Sequence, residues 1–265
     1  MRSPKLSAEM KKPDFMVIGA QKCATSWLDY HLEQHPQIML PEVKDVEFFS
    51  YPANLSPEFS KSWLERFDNA VAGQRVGDVN AAYFWTETGS SWSIKENSFN
   101  RRIPESVHAF LGDDIQFIVS LRNPVERSVS AYLHHISHGA VSPELKLLEI
   151  KKPLGIVDMG FFGTHLQNWL QVYPPKQFLV LRDLPSSREP ANSLMSGILN
   201  FLGVAAFPQQ YDFKKRVFPG MQRLNRSDGV WVPADHPAIA AHLPLHRDVP
   251  ILVEDGVQFL RLVDT

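Results

Sequence analysis

The sequence lacks the features that mark secreted, membrane-spanning or nucleic-acid-binding chains. Among its 265 residues is one cysteine, Cys23, so no disulfide can form within the chain, and a cytoplasmic location is expected. No run of about 18 apolar residues occurs, so no membrane-spanning helix is predicted. Lys and Arg number 27 against 29 Asp and Glu, for a net charge of −2. This balance gives no reason to expect a nucleic acid or an anionic membrane as partner.

Nothing in the sequence divides the chain into separate units, because it contains no internal repeat and no low-complexity linker. Residues 1–12 are polar and carry several lysines, which predicts a flexible N-terminal arm. Residues 13–265 are predicted to form a single domain, and the 44% of apolar residues in the whole chain is enough for a buried core. The oligomeric state is not predicted.

Short apolar runs alternate along the chain with amphipathic segments. Four runs predict strands, at 15–19, 75–79, 115–121 and 177–184. Five segments predict helices, near 25–34, 100–111, 124–138, 162–172 and 190–202. This alternation indicates an α/β fold, a single domain with a mainly parallel central sheet flanked by helices. Ligands of such sheets bind beyond the carboxyl ends of the strands, so the functional residues are expected directly after the apolar runs.

The first such place is the stretch FMVIGAQKCATSWLDYHL, at 15–32. A strand leads into Gly19, and Lys22 and two hydroxyl residues follow before a helical pattern begins. The spacing excludes a Walker loop, since no second glycine precedes the lysine. The parts of an anion site are nevertheless present, because a helix N-terminus and a lysine both attract negative charge. The alternative is that Thr25 and Ser26 only cap the helix while Lys22 is solvated.

A second anion site is predicted in FIVSLRNPVERSVSAYLHH, at 117–135. Arg122 follows a buried strand directly, Asn123 and Pro124 begin a helix, and Ser130 lies about two turns into it. An arginine fork together with a serine hydroxyl suits a phosphate group. The alternative is a surface arginine beside a capping asparagine, although a charge placed at the end of a core strand needs a partner.

Together the two motifs resemble those of sulfotransferases that use 3′-phosphoadenosine 5′-phosphosulfate (PAPS), the group that includes the heparan sulfate and bacterial carbohydrate enzymes. GAQKCATSWL is similar to the family's 5′-phosphosulfate loop, and LRNPVERSVSAY to its 3′-phosphate motif. QHP at 34–36, FF at 48–49, GDVNAAYFW at 77–85 and LNRSDGVWVP at 224–233 also resemble family segments. The resemblance covers most of residues 13–260 and implies the P-loop-kinase-like sulfotransferase fold, with PAPS as cofactor and PAP as product.

The resemblance also implies which residues bind the cofactor. The 5′-phosphosulfate would contact residues of the first motif, namely Gln21, Lys22, Cys23, Ala24, Thr25, Ser26 and Trp27. Arg122 and Ser130 would bind the 3′-phosphate. Arg226, Ser227 and Gly229 would close over the same end, although this loop carries Asp228 and Val230 where the family is richer in Lys and Arg.

For catalysis, sulfuryl transfer needs a cation beside the leaving phosphate and a base for the acceptor proton. Lys22 is predicted to be the cation. The family places a carboxylate just ahead of its FF pair, where this sequence has Asp45, the preferred base. Glu47 shares a face with Asp45 if the segment is extended, so either carboxylate can reach the site. The alternative is that this carboxylate only caps a loop and does not act as a base. No metal is predicted, since the strand at 117–121 is followed by an arginine rather than by the aspartate that anchors Mg²⁺ in nucleotide hydrolases.

The acceptor is the least determined part of the prediction. The family's lysine in the third motif is replaced here by Val79, and the acceptor side carries five carboxylates against Lys44: Glu42, Asp45, Glu47, Asp78 and Glu87. Since like charges repel a polyanion, a neutral or cationic small molecule is favoured, such as a hydroxylated or nitrogen-bearing natural product. Candidate acceptor contacts are Glu47, Asp78, Tyr83, Trp85 and His134. The alternatives are a carbohydrate acceptor, a degenerate P-loop kinase or hydrolase, and a non-catalytic PAP-binding module.

Overall fold

The structure is a computed structural model that describes residues 10–89, 98–150, 154–182, 191–207, 211–213, 251–254 and 257–260. No helix within these ranges is long and apolar enough to cross a membrane. The division into an arm at 1–12 and a domain at 13–265 stays a prediction.

A five-stranded parallel sheet lies at the centre of the described chain, with the strand order β2-β3-β1-β4-β5. Its strands are β1 (Phe15–Gly19), β2 (Ile38–Met39), β3 (Arg75–Val79), β4 (Gln116–Leu121) and β5 (Phe178–Arg182). The central strand β1 pairs with β3 on one side and with β4 on the other, so that Phe15 faces both Gly77 and Gln116. The four predicted strands are confirmed, and β2 is an addition too short for its apolar pattern to predict.

Helices connect these strands, as the α/β prediction requires. They are α1 (Thr25–Glu33), α2 (Pro57–Glu65), α3 (Ile103–Leu111), α4 (Pro124–Ser137), α5 (Phe162–Leu170) and α6 (Ala191–Leu202). All five predicted helices are confirmed, while α2 was not predicted. A short antiparallel pair, β6 (Ile251–Glu254) and β7 (Val257–Leu260), follows later in the chain.

The core lies on both faces of the sheet, because successive side chains of a strand point to opposite sides. All five residues of β1 are buried. Met16 and Ile18 pack into the cluster that contains residues of α3 and α5, among them Trp169. Phe15 and Val17 pack on the other face, with residues of α1 and α6. A strand that is buried on both faces explains why FMVIG is continuously apolar.

The carboxyl ends of the three central strands meet at one edge of the sheet. The Ala20 N–H, just beyond β1, donates to the Ser120 carbonyl of β4 at 2.8 Å. The Asn80 N–H, just beyond β3, donates to the Val17 carbonyl of β1 at 2.9 Å. The segments that the sequence marks as functional therefore begin side by side.

Gly19 ends β1 in a conformation that only glycine adopts readily, with φ near +145°. A Cβ atom at this position would lie 2.8 Å from Cβ of Phe84 and 2.9 Å from the Ala81 carbonyl oxygen. The loop after β3 therefore packs against bare backbone, and a side chain at residue 19 would force the two loops apart.

We expect Gly19→Ala to lower the free energy of unfolding by about 1–3 kcal/mol, the usual cost of overpacking. Gly197→Ala is the matched control, because Gly197 is exposed within α6 and a Cβ there meets no atom within 4 Å. That change should raise stability by about 0.5–1 kcal/mol, since alanine favours a helix over glycine. Urea denaturation of both variants checks the pair, and equal stability of Gly19→Ala and wild type would contradict the packing described here.

Candidate active site

The loop that follows β1 makes a tight turn into α1. Lys22 and Ala24 both have left-handed backbone, with φ of 66° and 65°, and the Cys23 N–H donates to the Ala20 carbonyl at 3.1 Å. Ala24 is the N-cap of α1 but supplies no side-chain acceptor to the first turn. Thr25 and Ser26 begin the helix, so they are not its capping residues. The N-terminus of α1 thus offers its backbone N–H groups and partial positive charge to an anion.

Ser120 fastens this loop to the neighbouring strand. Its carbonyl accepts from Ala20, and its hydroxyl donates to the Cys23 carbonyl, so one residue holds both ends of the turn. Ser120 is fully buried at the end of β4. The sequence gives only a weak sign of this role, because Ser120 is the single polar residue within the apolar run FIVSL. The role was not predicted.

The second predicted anion site begins directly after β4. The Asn123 side chain caps α4, with its Oδ1 accepting from Val125 N–H at 2.9 Å and Glu126 N–H at 3.2 Å. Arg122 Nη2 donates to Glu126 Oε2 at 2.7 Å, and the arginine side chain is 35% exposed. Ser130 lies half-buried farther along α4. An exposed pair four residues apart stabilises little, so a phosphate can replace Glu126 as the partner of Arg122 at small cost.

Cations crowd the edge of the sheet between the two sites. Burial lowers the pKa of Lys22, and the charges of Arg127, Arg122 and Lys44 lower it further, in that order. Burial also lowers the pKa of Arg127 to about 10. Arg127 Nη1 donates to the Gly155 carbonyl at 2.8 Å, but its Nε and Nη2 have no hydrogen-bond partner among the described residues. This concentration of positive charge favours a bound anion with more than one negative charge.

Asp45 lies near the loop after β1, and two hydrogen bonds to backbone groups hold it in place. Its Oδ1 accepts from the Ala81 N–H at 2.8 Å, and its own N–H donates to the Val79 carbonyl at 2.9 Å. Its side chain is 43% exposed, so the carboxylate stays accessible to an acceptor. Lys44 Nζ lies 3.4 Å from Asp45 Oδ2 and donates to Ser26 Oγ at 2.6 Å. Through Lys44, the predicted base is thereby joined to Ser26, the second residue of α1, in the predicted phosphosulfate site.

Glu47 occupies a different position from the one that the sequence suggested. Asp45 has left-handed backbone, with φ near 55°, so the segment is not extended there and the rule that residues two apart share a face does not apply. Partial burial raises the pKa of Glu47, and the charge of Asp45 raises it further. Asp45 is therefore the carboxylate that the structure joins to the loop.

Three of the residues predicted to contact the acceptor instead bind other residues of the protein. Asp78 is buried beside Arg66, at 3.4 Å, and burial raises its pKa to about 6. The Tyr83 hydroxyl donates to the Val46 carbonyl at 2.8 Å and accepts from the Phe48 N–H at 3.1 Å. Trp85 Nε1 donates to Asp158 at 2.6 Å. These side chains shape the site from within, and nothing in their contacts supports a role in holding the acceptor.

These pairs also change the charge expected on the acceptor side. Asp78 is matched by Arg66, and Glu87 by Arg101 at 2.9 Å. Of the five carboxylates counted in the sequence, three lie in the segment 42–47, close to Lys44. The negative charge of this region is therefore smaller than the sequence suggested.

His134 lies on α4, one turn beyond Ser130. Its ring centre is 4.2 Å from that of His138 and 5.5 Å from that of His135. Burial lowers its pKa to about 4, and the charge of Lys22 contributes to the shift, so this histidine is neutral near pH 7. Within the described ranges, no cluster of three His, Cys, Asp or Glu side chains is arranged to hold a metal ion.

The two predicted motifs lie near each other at Lys22 and Arg122, whose charge acts on Lys22, while Ser130 lies farther along α4. Arg226, Ser227 and Gly229 lie outside the described residues. Lys44, Ser120 and Arg127 were not predicted as site residues, but Lys44 and Ser120 contact the first motif and the charge of Arg127 acts on Lys22. These interactions join segments that are distant in the sequence, so no local pattern predicts them.

Comparison with known proteins identifies the family. The family model described as "Sulfotransferase domain" matches residues 12–225. Human heparan sulfate glucosamine 3-O-sulfotransferase 6 is 25% identical over 224 residues, which are 82% of this chain and 60% of that protein. Human bifunctional heparan sulfate N-deacetylase/N-sulfotransferase 2 is 26% identical over 218 residues, covering 74% of this chain and 22% of that protein. The chain therefore spans less than two thirds of the length of either relative.

Among solved structures, a sulfotransferase from Alicyclobacillus acidocaldarius shares the fold. It superposes with a TM-score of 0.58 at 22% identity, covering 79% of this chain and 87% of that one. The family model spans most of the chain, including both anion-binding motifs, Lys22 and Asp45. The chain therefore belongs to the sulfotransferase domain family.

Proposed function

We propose that this enzyme transfers the sulfuryl group of PAPS to a hydroxyl or amine of a small-molecule acceptor and releases PAP. The observation that supports the proposal is that the two candidate anion sites, the loop after β1 and Arg122 after β4, follow neighbouring parallel strands. PAPS has a phosphosulfate on the 5′ side of its ribose and a phosphate on the 3′ side. Two sites at a fixed separation distinguish it from nucleotides that carry only one of these groups.

The residues present suit this cofactor. The backbone N–H groups at the start of α1, with Lys22 and the hydroxyls of Thr25 and Ser26, would hold the 5′-phosphosulfate. Arg122 and Ser130 would hold the 3′-phosphate. The negative charge of the bound anion would also offset the repulsion of Lys22 by Arg127, Arg122 and Lys44.

In the proposed reaction, the acceptor oxygen or nitrogen forms a bond to sulfur while the bond from sulfur to the bridging phosphate oxygen breaks. Asp45 accepts the acceptor's proton, and Lys22 stabilises the negative charge that develops on the leaving phosphate. The electron pair of the broken bond leaves with PAP. The protein's main contribution is to align the two reactants and to supply fixed charges, as in phosphoryl transfer.

Binding of PAP and AMP in the presence of EDTA tests the cofactor assignment. We expect the wild type to bind PAP more tightly than AMP, and Arg122→Met to lose about 2–5 kcal/mol of PAP binding but little AMP binding. Arg102→Met is the control, because Arg102 is a surface residue paired with Glu105 and far along the chain from either motif. Equal PAP affinity of wild type and Arg122→Met by calorimetry would reject the 3′-phosphate site. A need for Mg²⁺ and ATP would favour a kinase or hydrolase.

For the base, we expect Asp45→Asn to retain PAP affinity and to lower kcat by about 10²-fold or more, because the acceptor's proton then has no carboxylate to accept it. Glu47→Gln is the matched control and should change kcat little. Transfer of labelled sulfate to an acceptor measures both. If Glu47→Gln loses activity while Asp45→Asn keeps it, the assignments of the two carboxylates are reversed.

The acceptor proposal rests on charge. Glu42, Asp45 and Glu47 lie within six residues on the acceptor side and disfavour a polyanion, with Lys44 as the nearby cation. A neutral or cationic small molecule, such as a hydroxylated or nitrogen-bearing natural product, fits this charge. The competing proposal is a carbohydrate acceptor, which is favoured by the names of the heparan sulfate relatives and by the pairing of Asp78 and Glu87 with arginines.

A competition assay decides between the two acceptor classes. We expect neutral or cationic small acceptors to be sulfated faster than heparan-like oligosaccharides, with a difference that is larger at low salt, where charges are less screened. The triple variant Glu42→Gln, Glu47→Gln, Glu87→Gln retains Asp45 and removes three negative charges. It should therefore reduce the difference in sulfation rate between the two acceptor classes. Faster sulfation of the oligosaccharide by the wild type at both salt concentrations would favour the carbohydrate proposal.

A further inference from the structure

Lys44 makes two contacts that no motif of the sequence predicts. Its ammonium donates to Ser26 Oγ at 2.6 Å and lies 3.4 Å from Asp45 Oδ2. Its side chain is 24% exposed, less than that of Asp45, so the ammonium is partly withdrawn from water. One cation therefore connects the start of α1 with the carboxylate on the loop after β2.

The contact with Ser26 determines which way that hydroxyl acts. A lysine ammonium has only donors, so Ser26 Oγ accepts from Lys44 and its own proton remains available to another acceptor. An oxygen of a bound anion is such an acceptor, and an oxygen that already accepts a charged hydrogen bond is a stronger donor. Lys44 thereby makes Ser26 a donor toward the loop.

The contact with Asp45 reduces an electrostatic repulsion that arises in the proposed reaction. The base and the phosphosulfate are both negative, yet both must approach the same acceptor atom. A cation beside the base lowers the repulsion between them and fixes the carboxylate, whose second oxygen is held by the Ala81 N–H. Burial raises the pKa of the nearby Asp29 to about 6, and the charge of Lys44 opposes that shift, which places the ammonium among carboxylates on this side of the site.

We propose that Lys44 is a positioning residue that couples the base Asp45 to the phosphosulfate loop through Ser26. The inference rests on the proposed function, because it assigns Lys44 a part in the same transfer. Lys44 is not required to contact the acceptor. Its ammonium holds two groups in place: the Ser26 hydroxyl in the proposed phosphosulfate site, and the Asp45 carboxylate, which would face the acceptor.

The test compares Lys44→Met with Lys44→Arg and with the control Lys61→Met, which removes an exposed lysine of α2. Lys44→Met should lower kcat about 10²-fold, the loss that accompanies a small misplacement of a catalytic group, and should change PAP affinity by less than about tenfold. Lys44→Arg should recover most of the activity, and Lys61→Met should match the wild type. Wild-type turnover in Lys44→Met, or no recovery with arginine, would overturn the proposal.

A double-mutant cycle separates positioning from a general structural effect. If Lys44 acts through Asp45, then adding Lys44→Met to Asp45→Asn should lower kcat by less than about threefold further, whereas independent effects multiply. Multiplying losses would overturn the proposal. If Lys44→Met is unfolded at the assay temperature, Lys44→Gln, which keeps a donor for Ser26 without the charge, takes its place in the same cycle. A wild type that neither binds PAP nor transfers sulfate would instead refute the proposed function.

Discussion

The attachment of the loop after β1 to the end of β4 is the contact on which the site depends. A turn with two left-handed residues, Lys22 and Ala24, is costly for side chains other than glycine and persists only where its surroundings fix it. Ser120 supplies that restraint by accepting from Ala20 and donating to the Cys23 carbonyl. The same strand end delivers Arg122, so the restraint that shapes one anion site also sets its distance from the other.

The cost of this arrangement is electrostatic. The pKa of Lys22 is lowered first by burial and then by the charges of Arg127, Arg122 and Lys44. Arg127 is buried with two nitrogens that no described residue accepts from, which is unfavourable, although the charge of Asp158 offsets part of the cost of its burial. An anion bound at the loop relieves this repulsion. This unfavourable grouping of positive charge is one reason that we propose a multiply charged anion as the ligand of the site.

Features that depend on neighbouring residues could be predicted from the sequence, whereas contacts between distant segments could not. The strands and helices follow from local apolar patterns: FMVIG is confirmed as β1, and Asn123 with Pro124 begins α4 as predicted. The lysine, hydroxyl and arginine positions were found because they lie just after strands. Lys44, Ser120 and Arg127 were not predicted as site residues, because each makes a hydrogen bond to a residue 18 to 97 positions away and the pattern around each is ordinary.

The predicted acceptor residues show the opposite error, in which a pattern suggests exposure that tertiary structure removes. Asp78 lies next to buried Val79 on β3, and its carboxylate is matched by Arg66 from the end of α2, a helix that the sequence did not predict. Without α2 there was no reason to expect a partner, so the carboxylate was counted as free charge. Arg66 also donates to the Val43 carbonyl, in the segment that carries Lys44 and Asp45. The acidic residue expected to contact an acceptor is thus joined, through Arg66, to the loop that carries Asp45.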